Sequence, residues 1–225
     1  MENMKKKKLP LSRYRKIIIL LCVAGLLIVG FTQAIGQYSI SRLQQKPLVL
    51  PVPVMLQSRG TSCGEAVIAM TYNYAYPDTP ITEQQVIDYA AASGYYIEEL
   101  PPFTSPENMV KIAQNYSDAE RVSSGAVVSS QQGLSLLLLK LRSGEPVIID
   151  VLSNFSDPRS EAHFVVVTGL SVDSSRNNAI VVHYNDPLTG TKESDDWLGS
   201  KGVWNAWRMN DDPGGSGWWM VISPP

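Results

Sequence analysis

Cysteine and histidine are scarce in this chain, with two of each among 225 residues. Cys22 lies in an apolar N-terminal stretch and Cys63 outside it, so no intradomain disulfide can form and the fold cannot rest on a disulfide framework. The same shortage excludes a zinc site of usual ligand spacing, because one domain cysteine with His163 and His183 does not assemble it. Asp195, Asp196, Asp211 and Asp212 lack the ordered Asp-x-Asp-x-Asp-Gly spacing of a calcium loop and read as solvated loop residues. No metal or other cofactor is expected. An excess of positive charge is also missing: 19 Lys and Arg stand against 21 Asp and Glu, a net charge of −2. The basic residues concentrate in the first sixteen positions, which leaves the remainder more acidic than the total and argues against nucleic-acid binding. No internal repeat is visible.

What the chain does have begins at the N-terminus. Lys5 to Lys8, Arg13, Arg15 and Lys16 form a basic flank over residues 1–16, and the apolar run Ile17 to Phe31 follows, extended by weakly polar residues to 36. The run lies between the length of a signal-peptide core and that of a comfortable membrane span. Cleavage after Ala34 would place Thr32 where a small residue is preferred, so 17–36 reads as a retained signal anchor. Leu21 ahead of Cys22 argues against a lipoprotein site. By the positive-inside rule the basic flank stays cytoplasmic and the rest lies on the outer side of the cell membrane; if the segment were cleaved, the domain would be secreted. Residues 37–47 read as a polar tether and 48–225 as one globular domain, long enough for a sizeable core.

Within that domain the first half reads as helical. Pro51 and Pro53 mark Val49 to Leu56 as an extended edge segment. A helix to about Tyr74 follows, with Thr61 or Ser62 as its cap. Thr82 with Gln85 forms a capping-box pattern, Ser105-Pro106 opens a third helix, and Ser130 to Arg142 is a leucine-rich helix stopped by Gly144 and suited to covering a sheet. Strands are expected at Pro146 to Leu152, His163 to Leu170, Ala179 to Tyr184 and Trp218 to Ile222. The fold class is α+β, a helical first half packed on an antiparallel sheet with a cleft between them. Trp197, Trp204, Trp207, Trp218 and Trp219 are read mainly as structural.

Cys63 sits in Gln57-Ser58-Arg59-Gly60-Thr61-Ser62-Cys63-Gly64-Glu65 just ahead of the first helix. His163 opens the run His-Phe-Val-Val-Val-Thr-Gly, and Asn185-Asp186-Pro187 follows a further strand. The Gln-x5-Cys-Gly spacing, the His-led strand and the Asn-Asp-Pro-x-x-Gly turn, in that order across 50–190, resemble the C39-like peptidases of the papain-like superfamily. That resemblance implies a papain-like cysteine protease fold with Cys63 as nucleophile, His163 as general base, Asp186 as the residue orienting the imidazole, and Gln57 in the oxyanion hole. Glu65 departs from it, where many relatives carry proline.

The residue types suit the chemistry. A helix N-terminus and an imidazolium both stabilise a thiolate. A Gln amide and the Cys63 backbone N–H can donate to a tetrahedral oxyanion. Side-chain alternation lets only one of Asn185 and Asp186 face the histidine, and Asp186 is preferred. His183, inside Ile180 to Tyr184, is the only rival base. The function expected is peptide-bond hydrolysis on a peptide or protein substrate at the membrane; the alternatives are a transglutaminase-like acyl transferase and a non-catalytic papain-fold binding module. Double-glycine leader processing coupled to export is not supported, since no transporter region or nucleotide-binding motif accompanies the domain.

Overall fold

A computed structural model describes residues 43, 44 and 46–225, so the anchor expected at 17–36 lies outside the described residues. Among the described residues no helix is long and apolar enough to cross a membrane. Lys46–Pro225 forms a single unit, beginning close to the boundary expected at Leu48.

The architecture is α+β. Its centre is β3 (Val147–Leu152), Val-Ile-Ile-Asp-Val-Leu, in which all six residues are buried. A strand buried along its whole length needs cover on both faces of its sheet. The sheet is antiparallel and seven-stranded, in the order β2 (Val122–Ala126), β7 (Trp218–Ile222), β3, β4 (Ala162–Asp173), β5 (Ala179–Asp186), β6 (Thr191–Asp196), with β1 (Leu48–Val49) added to β4. β3 pairs with residues 162–167 of β4, and β1 takes up the same side beyond it at Gly169 and Leu170. A side chain at 169 would collide with the β1 backbone, its Cβ standing 2.5 Å from the Leu48 carbonyl oxygen, so glycine is required there. The edge segment then runs on from Leu50, whose N–H donates to the Thr168 carbonyl at 2.8 Å, toward Gln57.

Three helices cover one face: α1 (Cys63–Ala75), α2 (Glu83–Ala92) and α3 (Pro106–Tyr116). Ile68, Met70, Ile87, Met109 and Ile112 meet Ile148, Phe164, Val166, Met220 and Ile222 of the sheet in one buried cluster. Each such side chain contributes about 2 kcal/mol of burial, so this layer contact dominates the cohesion of the domain. α4 (Ser130–Arg142) packs on β3, β4 and β1, and α5 (Val203–Met209) on β3. Gly133 of α4 admits the rings of Trp197, Trp204 and Trp207, which would stand 3.1–3.2 Å from a Cβ at that position.

The capping box at Thr82 and Gln85, the Ser105-Pro106 start and the Ser130 to Arg142 helix are present as expected. Four features differ. Ser62 is the first helix's N-cap residue by position, but its side chain makes no capping bond. Residues 191–196 form strand β6 rather than a solvated loop, and its carboxylates are partnered: Asp195 accepts from the Tyr184 hydroxyl at 2.7 Å. β2, Val-Ser-Ser-Gly-Ala, and α5 are the other two, and both lack the apolar alternation or capping pattern that would mark them.

Candidate active site

Cys63 is the first residue of α1 and only partly buried. The loop that delivers it is held from outside itself. The Glu83 carboxylate, at the start of α2, accepts from the Ser58 N–H at 2.9 and 3.0 Å and from the Ser62 hydroxyl at 2.6 Å. Ser62 in turn accepts from the Arg59 N–H at 3.1 Å, which is why its hydroxyl is not free to cap the helix. Arg59 pairs with Glu98 at 2.8 Å, and Thr61 shares a hydrogen bond with Tyr96 at 2.8 Å.

His163, near the start of β4, is buried, and its Nε2 meets Asp186 Oδ1 at 2.7 Å. The Cys63 thiol also acts on the imidazole, raising it together with Asp186. With Nε2 engaged by Asp186, Nδ1 is the nitrogen left for sulfur. Burial alone would pull the imidazole down, but its hydrogen bond to Asp186, the Cys63 thiol and the charges of both outweigh it and raise it to about 10. Burial pushes Asp186 up, yet the bond to His163 and its charge hold the carboxyl below its ordinary value. Backbone N–H of Leu188 fixes Asp186 Oδ1 from the turn side at 2.8 Å.

The alternation argument is settled by register. Asn185 turns away, donating through Nδ2 to the carbonyls of Val52 and Pro53 at 3.2 and 3.1 Å, and so ties the edge segment to β5. His183 lies elsewhere on β5, bonded to Ser171 Oγ at 2.8 Å. Gln57 is anchored beside the Asp186 turn, its N–H donating to the Pro187 carbonyl at 2.8 Å. Its side-chain Nε2 donates to the Arg59 carbonyl at 2.7 Å, which uses one of two amide hydrogens, while Oε1 is buried without a partner.

Glu65, in the first turn of α1, is fully buried. It accepts from Thr104 Oγ1 at 2.7 Å, and burial pushes it up to about 7. A cavity of about 190 Å³ opens on the Cys63 side, walled by Thr61, Phe103 and Phe164. A second, of about 290 Å³, opens on the His163 side between Phe155, Tyr184 and Lys201. Sequence reasoning missed Glu83 and Thr104 as supports of the site. Glu83 carried only a helix-start signal, and nothing local links it to a loop twenty-five residues earlier.

The arrangement defines a class of site: a thiol at a helix N-terminus that acts on a buried imidazole held by a carboxylate. No family model matches the chain, and no curated protein sequence matches it.

Proposed function

We propose that this protein is a cysteine peptidase of C39-like, papain-like type, tethered to the outer face of a membrane by residues 17–36. The observation that carries this reading is the buried His163 held by Asp186 through the 2.7 Å contact at Nε2, with the Cys63 thiol at the start of α1 acting on the same imidazole. An imidazole raised to about 10 is protonated at neutral pH, which is the form that accompanies a thiolate. The Cys63 sulfur attacks the scissile carbonyl, and the oxyanion is stabilised by the Cys63 backbone N–H, one of the unsatisfied donors of the first helical turn, with the free amide hydrogen of Gln57. His163 gives its proton to the leaving amine as the C–N bond breaks, which leaves a thioester. The same imidazole then takes a proton from water, hydroxide adds to the thioester, and the C–S bond breaks to restore the Cys63 thiolate and release the acid product. Asp186 keeps the ring oriented and stabilises its charge throughout.

The test is the alkylation rate of Cys63 by iodoacetamide against pH, in the full chain carrying Cys22→Ser, compared with the same chain carrying His163→Ala. The expected rate stays high well below pH ~8.5, where an ordinary thiol is protonated, and falls in the His163 variant. Slow alkylation with an ordinary pH dependence, unchanged by the substitution, would sink the catalytic reading and favour a membrane-tethered binding domain.

A further inference from the structure

The cavity beside Cys63 has a one-sided charge. Glu161, Asp211 and Asp212 line it together with Phe103 and Phe164, and none of the described residues lining it is Lys, Arg or His. The cavity on the His163 side, by contrast, includes Lys201. Asp212 is half-buried while Glu161 and Asp211 are exposed, so one carboxylate sits inside and two stand at the rim. A fourth acid lies beneath them. Asp150 is fully buried on β3, opposite Phe164 of the cavity wall, and neither of its carboxyl oxygens has a hydrogen-bond partner.

The turn 210–215 folds directly over Asp150: a side chain at Gly215 would collide with its Oδ2 and with Asp212. Asn210, on the same turn, has a buried Nδ2 that is also unpartnered. Burial and the charge of Asp212 push Asp150 well above its ordinary range. Asn210, the His163 backbone N–H and the His163 charge temper this without a well-formed hydrogen bond. Asp212 itself is raised to about 6 by burial and by Asp211. Arg59 is paired with Glu98, the His163 imidazole with Asp186, and Arg208 beyond the turn donates to Ser216 Oγ. Carboxylates are thus gathered at a concave site beside the thiol, and among the described residues that line it none is a cation to balance them.

Resting on the reading of Cys63 as a nucleophile, we propose that this cavity is a specificity pocket for a cationic side chain, lysine or arginine, of the peptide substrate, with Asp212 inside and Glu161 and Asp211 at the rim as its charge partners. About 190 Å³ is below the size of a small-molecule site and suits one long side chain. Phe103 and Phe164 cover the aliphatic stem and the carboxylates receive the head.

The experiment reads the pocket through the thiol without needing the natural substrate. The full chain with Cys22→Ser is treated with aminoethyl methanethiosulfonate, a cation, and with sulfonatoethyl methanethiosulfonate, an anion. Each forms a disulfide with Cys63 and releases methanesulfinate. Their rate ratio is divided by that of a small free thiol. We expect the cation to be favoured by about tenfold at low salt. The preference should shrink in Asp211→Asn/Asp212→Asn and in the exposed Glu161→Gln, the latter carrying little folding risk. It should be unmoved in Asp78→Asn/Glu120→Gln, which changes net charge equally at other exposed acids.

A normalised ratio near one, or one that responds equally to the distant pair, would overturn the pocket. Rapid, His163-dependent iodoacetamide alkylation alongside such a ratio would leave the peptidase reading standing and remove only its substrate class. A cation preference on a thiol with ordinary, His163-independent alkylation would overturn the peptidase reading, and a substrate pocket with it.

Discussion

Glu65 is a residue whose surroundings conflict with its charge: it is buried, two positions after the thiol-bearing Cys63, with Thr104 as hydrogen-bond donor to one oxygen and nothing for the other. Its rise to about 7 means the folded protein holds that proton more tightly than the unfolded chain. The stability it confers is therefore complete below about 4.5 and is lost as pH climbs through 7, a swing on the order of 3 kcal/mol. Asp212 acts in an overlapping range, its rise to about 6 costing stability over a lower window. His163 acts later, its contribution being present in full below 6.5 and lost toward 10. Glu65→Gln should accordingly be more stable than the parent above pH 7 and show a shallower decline between pH 4.5 and 7, in thermal melts across that range. Parallel curves would show that Glu65 is not held in the way its burial implies. Sequence marked Glu65 only as a departure from a resembled pattern; its burial follows from Thr104, thirty-nine positions away, closing over it.

At the scale of elements, the site depends on a clamp between two of them. Glu83 joins the start of α2 to the loop ahead of α1 by accepting from Ser58 and Ser62. Glu83→Ala would leave the Ser58 N–H without its acceptor and the Ser62 hydroxyl with only the Arg59 carbonyl. The expected cost is about 1–3 kcal/mol in urea unfolding, and a midpoint equal to the parent's would show the clamp to be dispensable. Helices announced themselves where capping chemistry is local, as at Thr82 with Gln85 and at Ser105-Pro106. β6, Thr-Lys-Glu-Ser-Asp-Asp, did not, because its strand state comes from pairing with β5 at the sheet edge, where charged side chains are tolerated. The Ser62 cap failed for a different reason: its oxygen accepts from the Arg59 N–H of the preceding loop instead of from the first turn of the helix.

One buried cluster spans α1, α2, α3 and the sheet and includes Trp218, while Trp197, Trp204 and Trp207 gather in mutual contact on the α4 and α5 side. Neither layer can bury its apolar face without the other. Lys46–Pro225, produced alone, should unfold in one transition, with tryptophan fluorescence and far-ultraviolet circular dichroism coinciding in urea. Separate midpoints would show that the helical layer and the tryptophan side are independent. The same union places the thiol, carried by a helix, against the histidine and aspartate, carried by strands.

The α+β class, most helix limits, the four apolar strands and the order Cys63, His163, Asp186 were legible along the chain, because capping, periodicity and residue chemistry are local properties. The choice of Asp186 over Asn185 was legible in part, as alternation limited it to one of two. Tertiary structure alone decided that choice through the β4–β5 register, which sends Asn185 to Val52 and Pro53 and Asp186 to the imidazole. It also decided the Glu83 clamp, the burial of Glu65 and Asp150, and the gathering of Glu161, Asp211 and Asp212 beside Cys63. Each of these joins residues distant in the chain, and their meeting depends on how the two layers pack rather than on any neighbour along the sequence.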